Sequence, residues 1–160
     1  VAVDAAVHIA EPTGNRTLPL ADLYRLPGDT PDRETALVHG ALITAVEIPP
    51  LPFARNSTYR KVRDRASFAF AVASVAAALD VRDGAVAGVR LALGAVAPKP
   101  WRARVAEELL RDGPATPEAF RAAVAAELDA ADPLPRNAFK LPLVSNLVTA
   151  TLSTLAGIGE

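Results

Sequence analysis

Cysteine and methionine are both absent from the 160 residues. Without cysteine the stretch holds no disulfide, no thiolate zinc site, no iron–sulfur ligation and no thiol nucleophile. Charge of one sign is missing too. Seventeen Lys and Arg stand against eighteen Asp and Glu, a formal net charge of -1, so there is no electrostatic footprint for a nucleic-acid backbone or an anionic membrane. The motifs that usually announce chemistry do not occur: no glycine-rich phosphate loop, no G-x-S-x-G, no H-E-x-x-H and no EF-hand spacing of carboxylates. His8 and His39 are isolated in sequence, which points to structural or surface roles. Asp29, Asp32 and Glu34 share their segment with Arg33, as a solvated loop does. A chain that opens Val1-Ala2-Val3-Asp4 in place of an initiator Met is expected to be a processed piece or part of a longer polypeptide.

What is abundant is apolar surface and proline. Hydrophobic residues make up 51% of the chain, enough for a real core, and fourteen prolines act as punctuation. The run Pro49-Pro50-Leu51-Pro52 is the best candidate boundary between two lobes, 1–52 and 53–160. In the first lobe, Ala5 to Ala10 and Arg16 to Leu18 are expected as short strands around a turn. Asp22 to Tyr24 is expected as a helical turn, and Pro27 to Gly40 as a long polar loop. Ala41 to Ile48 alternates, with Leu42, Thr44, Val46 and Ile48 on one side, so a strand half covered by core is expected. In the second lobe, Ser57 to Arg63 reads as a strand with its charges turned outward. Phe68 to Val81, apolar on both parities, reads as a buried strand, and Asp83-Gly84 is a hairpin turn returning into Val86 to Gly94.

Helices follow. Val105 and Leu109 suggest an apolar stripe within Trp101 to Arg111. Thr116-Pro117-Glu118 carries a hydroxyl N-cap, an N1 proline and an early carboxylate, ahead of the stripe Phe120, Val124 and Leu128 with Glu118, Arg121 and Glu127 turned away. Leu143, Val144, Leu147, Val148, Thr151, Leu152 and Leu155 form the stripe of a last helix, too polar and too short to span a membrane. Its face of Ser145, Asn146, Thr149, Ser153 and Thr154 is either solvated or covered by another subunit. The fold class is α+β, with a three-stranded antiparallel sheet and about three helices in the second lobe.

Several segments, in order, resemble one family. They are Leu26-Pro27-Gly28-Asp29-Thr30-Pro31, Gly40 to Pro49, and Tyr59-Arg60-Lys61-Val62-Arg63-Asp64-Arg65-Ala66-Ser67-Phe68-Ala69-Phe70. Leu91 to Ala103, ending Pro98-Lys99-Pro100-Trp101-Arg102-Ala103, and Asn137-Ala138-Phe139-Lys140 complete the set. Together they are similar to the C-terminal part of the FAD-binding, or medium, subunit of molybdenum hydroxylases of the xanthine dehydrogenase and carbon monoxide dehydrogenase type. Within that group the flavin subunits of bacterial periplasmic aldehyde oxidoreductases are the most similar.

The resemblance implies an oxidoreductase subunit that carries FAD and passes electrons from iron–sulfur clusters to an external acceptor. The partners implied are a molybdopterin-binding large subunit and an iron–sulfur small subunit, with no nucleic acid and no membrane. Residues 1–52 would be the end of the FAD-binding domain, and 53–160 the CO dehydrogenase flavoprotein C-terminal-like domain. No catalytic residue and no metal site is implied within the chain. By position, Leu37 corresponds to the loop that touches the flavin ring, and either Arg60 or Lys61 to the flavin-contacting lysine, only one of which can face it. Beside these stand the plainer readings, Leu37 as core and the two cations as exposed strand charges. Related last helices commonly have basic residues where Val144, Ser145 and Asn146 stand here, which implies a different docking surface. A module that docks subunits without binding flavin is the rival function. The absence of cysteine suits periplasm and cytoplasm alike.

Overall fold

The computed structural model describes residues 1–158. Before the proline run, strands β1 (Ala6–Glu11), β2 (Gly14–Pro19) and β3 (Leu42–Glu47) form an antiparallel sheet in the order β2-β1-β3, with a single helical turn, α1 (Leu20–Leu23), after β2. Val7 and Ile9 of β1 and Leu23 of α1 make a small core, against which Leu18, Tyr24 and Leu37 pack. The long loop after α1 is tied down near its end, where the Ala36 amide donates to the Leu23 carbonyl at 2.8 Å and Arg16 Nη2 donates to the Ala36 carbonyl at 2.8 Å.

β3 differs from the half-covered strand expected, because all six of its residues are exposed. A bulge re-phases it. Val46 stands opposite Val7 and Ile43 opposite Ile9, so Thr44 is the extra residue, and its Oγ1 donates to the His8 carbonyl at 3.1 Å. A bulged strand opposes two residues to one, so the run Leu42, Thr44, Val46 cannot stay on one face.

After the proline run, β4 (Ser57–Val62), β5 (Ala73–Arg82) and β6 (Ala85–Gly94) form the expected antiparallel meander, and the two-residue β7 (Trp101–Arg102) extends it to four strands. Asp83 and Gly84 both have positive φ, 51° and 77°, as a tight hairpin matched to strand twist requires. Helices α2 (Arg104–Leu110), α3 (Pro117–Leu128) and α4 (Lys140–Leu155) cover one face. The core between them holds Val75, Leu79, Leu91, Phe120, Val148 and Leu152. Each such side chain stabilises the fold by about 1.5–3 kcal/mol through removal from water.

Five expectations change here. β5 starts at Ala73, leaving Phe68 and Phe70 outside it. Trp101 and Arg102 are strand, not helix, and in α2 the buried residues are Ala106, Glu107 and Leu110 while Val105 and Leu109 face solvent. Glu127, expected to turn away, is 5% exposed. Thr149 of α4 is buried rather than on an open polar face.

The two buried glutamates have definite partners. Ala103 precedes α2 without a side-chain cap, and Glu127 of α3 supplies one from outside. Its Oε2 accepts from the Ala106 amide at 3.0 Å and its Oε1 from Trp101 Nε1 at 2.7 Å. Glu107 accepts from the Leu91 amide at 2.6 Å and from the Arg102 guanidinium. Buried carboxylates persist where donors satisfy them in this way.

Candidate functional site

Register separates the two adjacent cations of β4. Arg60 pairs with Val75 and Lys61 with Ser74. Directly paired residues project to the same side of a sheet, and Val75 lies in the core beneath the helices, so Arg60 belongs to the helix-covered face and Lys61 to the other. That outer face also carries Tyr59 opposite Ala76, Ala76 opposite Ala92, and Ala78 opposite Arg90. Phe53 lies on it so closely that a Cβ added at Gly88 would stand 2.8 Å from the ring. The first lobe reaches the same face, since the Asp4 carboxylate is 3.6 Å from Arg90 Nε and accepts from Arg102 Nη1 at 2.9 Å. Lys61 therefore shares a sheet face with Arg90 and Arg102, two of the residues that meet Asp4, and Arg60 does not.

Lys61 also meets the β4–β5 loop. Its Nζ donates to the Ala69 carbonyl at 3.4 Å, while Arg65 Nε donates to the Phe68 carbonyl at 3.2 Å. The loop closes where the Val72 amide donates to the Val62 carbonyl at 2.8 Å. Phe68 is held at φ 48°, a conformation uncommon for a bulky side chain. The result is two phenylalanines, 96% and 97% exposed, beside an ammonium group. An exposed pair of this kind marks a binding surface better than scattered apolar residues do. It can stack a flat ring, and the ammonium can stabilise negative charge on that ring. Their apolar sequence context predicts Phe68 and Phe70 at the start of a buried strand. The signal against that was the run of charge before them: Arg60, Lys61, Arg63 and Arg65 against the single acid Asp64.

Leu37 sits on the first lobe, half-buried against the Val7, Ile9 and Leu23 cluster. A separate cleft of about 840 Å³ lies between the lobes, walled by Asp22 and Leu26 on one side and Trp101, Arg104 and Lys140 on the other. None of Leu37, Arg60 and Lys61 lines it. His8 bridges strands, with Nδ1 3.0 Å from Thr17 Oγ1 and Nε2 2.9 Å from Glu47 Oε2. Among the described residues no group of three or more His, Cys, Asp or Glu is placed to hold a metal ion, and no helix is long and apolar enough to cross a membrane.

Residues 57–155 match the family model of the CO dehydrogenase flavoprotein C-terminal domain, over more than half of the chain. The chain belongs to that family. The aldehyde oxidoreductase FAD-binding subunit PaoB of Escherichia coli (strain K12) is 51% identical over 109 residues, which are 68% of this chain and 33% of PaoB. The glyceraldehyde dehydrogenase medium chain of Sulfolobus acidocaldarius is 31% identical over 107 residues, 67% of this chain and 36% of that protein. Among solved structures, the carbon monoxide dehydrogenase from Hydrogenophaga pseudoflava that lacks the Mo-pyranopterin moiety superposes with a TM-score of 0.84 at 25% identity, covering 98% of this chain and 54% of that one. Reconstituted CO dehydrogenase from Oligotropha carboxidovorans gives 0.85 at 21% identity, covering 99% and 55%, and shares the fold. The chain thus spans about a third of the curated relatives and about half of the solved chains. The CO dehydrogenase flavoprotein C-terminal domain accounts for β4 to α4, and the structural likeness extends through β1 to β3 as well.

Proposed function

We propose that the chain is the C-terminal portion of the FAD-carrying electron-transfer subunit of a heteromeric, molybdenum-dependent oxidoreductase of the aldehyde or xanthine type. Residues 1–52 are then the end of the FAD-binding domain and 53–160 the C-terminal domain. The observation that carries this reading is the 51% identity to a FAD-binding subunit, and it extends over the segment that presents Lys61 beside two open phenylalanine rings. Those groups fit a flavin: a flat aromatic system that becomes anionic on reduction needs a stacking surface and a nearby cation.

FAD, when bound, supplies the redox chemistry, accepting electrons and handing them on. The chain's own residues do the rest. Lys61 places its ammonium group on the sheet face that also carries Arg90 and Arg102, Phe68 and Phe70 present apolar area that excludes water, and Leu37 contributes contact from the first lobe. Arg60 stays on the helix side. The partners on this reading are a molybdopterin-binding large subunit and an iron–sulfur small subunit, which hold the other redox centres.

The test is to purify the assembled complex and measure flavin content and potential in Lys61→Ala and Arg60→Ala forms. Loss of flavin or a lowered potential in the Lys61 variant alone is the expected result. A flavin-free complex that still assembles from the unsubstituted chain would replace this reading with that of a docking module.

A further inference from the structure

The two lobes are joined almost without packing. Among the described residues no strand or helix of the first lobe lies against a strand or helix of the second, and the two hydrophobic clusters share no side chain. Across the cleft apolar groups such as Leu26 and Leu141 line a common space.

What crosses between lobes is polar and concentrated at one point. Arg102 Nη1 donates to the Val1 carbonyl at 2.7 Å and to the Asp4 carboxylate at 2.9 Å. Its Nε and Nη2 donate to Glu107 within the second lobe. The same Asp4 carboxylate lies 3.6 Å from Arg90 and 3.8 Å from Arg104, so one acid faces guanidinium groups from β6, β7 and α2. Asp4 has φ 52° and its amide donates to the Val1 carbonyl at 3.1 Å, a turn that presents carboxylate and carbonyl together. An isolated surface ion pair contributes little, because ordering two long side chains offsets the attraction. Here the Arg102 side chain is 7% exposed and already held by Glu107, so Asp4 meets a donor that needs no further ordering.

We propose that Asp4 and Arg102 form a latch that holds the first lobe at the β7 edge of the second, and that its release lets the lobes hinge about Pro49–Pro52. The latch rests on the interlobe contacts and not on the flavin reading. It is a positioning device: Asp4 sets the placement of one lobe and touches no reacting group.

The chain has no cysteine, so two introduced thiols report without background. Spin labels at Asn15→Cys on β2 and Arg121→Cys on α3, both exposed, measure the interlobe distance by pulsed electron resonance. The expected result is one narrow distribution that shifts and broadens toward longer distances in the D4N variant, which keeps the shape of Asp4 and tolerates its left-handed φ. Raising salt to about 1 M, where the screening length falls to about 3 Å, is expected to broaden it in the unsubstituted chain as well. Circular dichroism of D4N checks that both lobes remain folded, and if they do not, the salt arm alone decides. Distributions unchanged by both D4N and salt would overturn the latch.

Discussion

Glu127 shows how one residue can be misjudged by its chemistry while its position is plain. On α3 it stands seven residues after Phe120 and three after Val124, which is the buried stripe; a carboxylate nevertheless argues for solvent. The structure resolves the conflict by giving it two donors, Trp101 Nε1 and the Ala106 amide. Glu127→Ala leaves both unpaired inside the protein, at about 1–3 kcal/mol each, and chemical denaturation is expected to show a loss of that order. Glu127→Gln keeps an acceptor oxygen and is expected to recover part of it. The adjacent cations of β4 make the complementary case. Alternation says that Arg60 and Lys61 face opposite ways, but pairing with Val75 and Ser74 is needed to say which face is which. On the proposed function, Lys61→Ala is expected to lower the flavin potential by on the order of tens of millivolts, while Arg60→Ala leaves it unchanged, as redox titration would show.

At the scale of elements, local signals worked wherever local chemistry closes the structure. Thr116 caps α3, its hydroxyl accepting from the Ala119 amide at 3.3 Å with Pro117 next in line. Thr116→Ala is expected to cost about 1 kcal/mol in thermal or chemical unfolding, and Thr116→Ser much less. The Asp83-Gly84 turn likewise needs only its own two residues. The signals failed where an element's surroundings decide. α2 is short, lacks a side-chain cap of its own and takes one from α3, so Val105 and Leu109 mark its wet side while Ala106 and Leu110 are buried. β3 alternates in sequence, yet a bulge at Thr44 and an uncovered outer position leave Leu42, Val46 and Ile48 exposed.

For the whole molecule the main consequence is unequal stability. The first lobe has a core of three buried apolar residues, Val7, Ile9 and Leu23, whereas the second gathers one continuous cluster between sheet and helices. Opening free energy follows buried contact, so amides of β1 to β3 are expected to exchange with solvent well before those of β5 and β6 in a native-state hydrogen-exchange experiment. The α+β class, the hairpin, the α3 cap and the apolar stripe of α4 were all legible in the chain of residues, and so was the family, through segments that keep their order. Folding in three dimensions alone decided that Lys61 and not Arg60 shares a sheet face with Arg90 and Arg102, that Phe68 and Phe70 stand open, that Glu107 and Glu127 are buried acceptors, and that Asp4 meets Arg102. The physical reason is range. Turns, caps and periodicity are settled by residues a few positions apart, whereas which face is covered and which charge finds a partner depends on groups up to a hundred positions away, as Val1 is from Arg102.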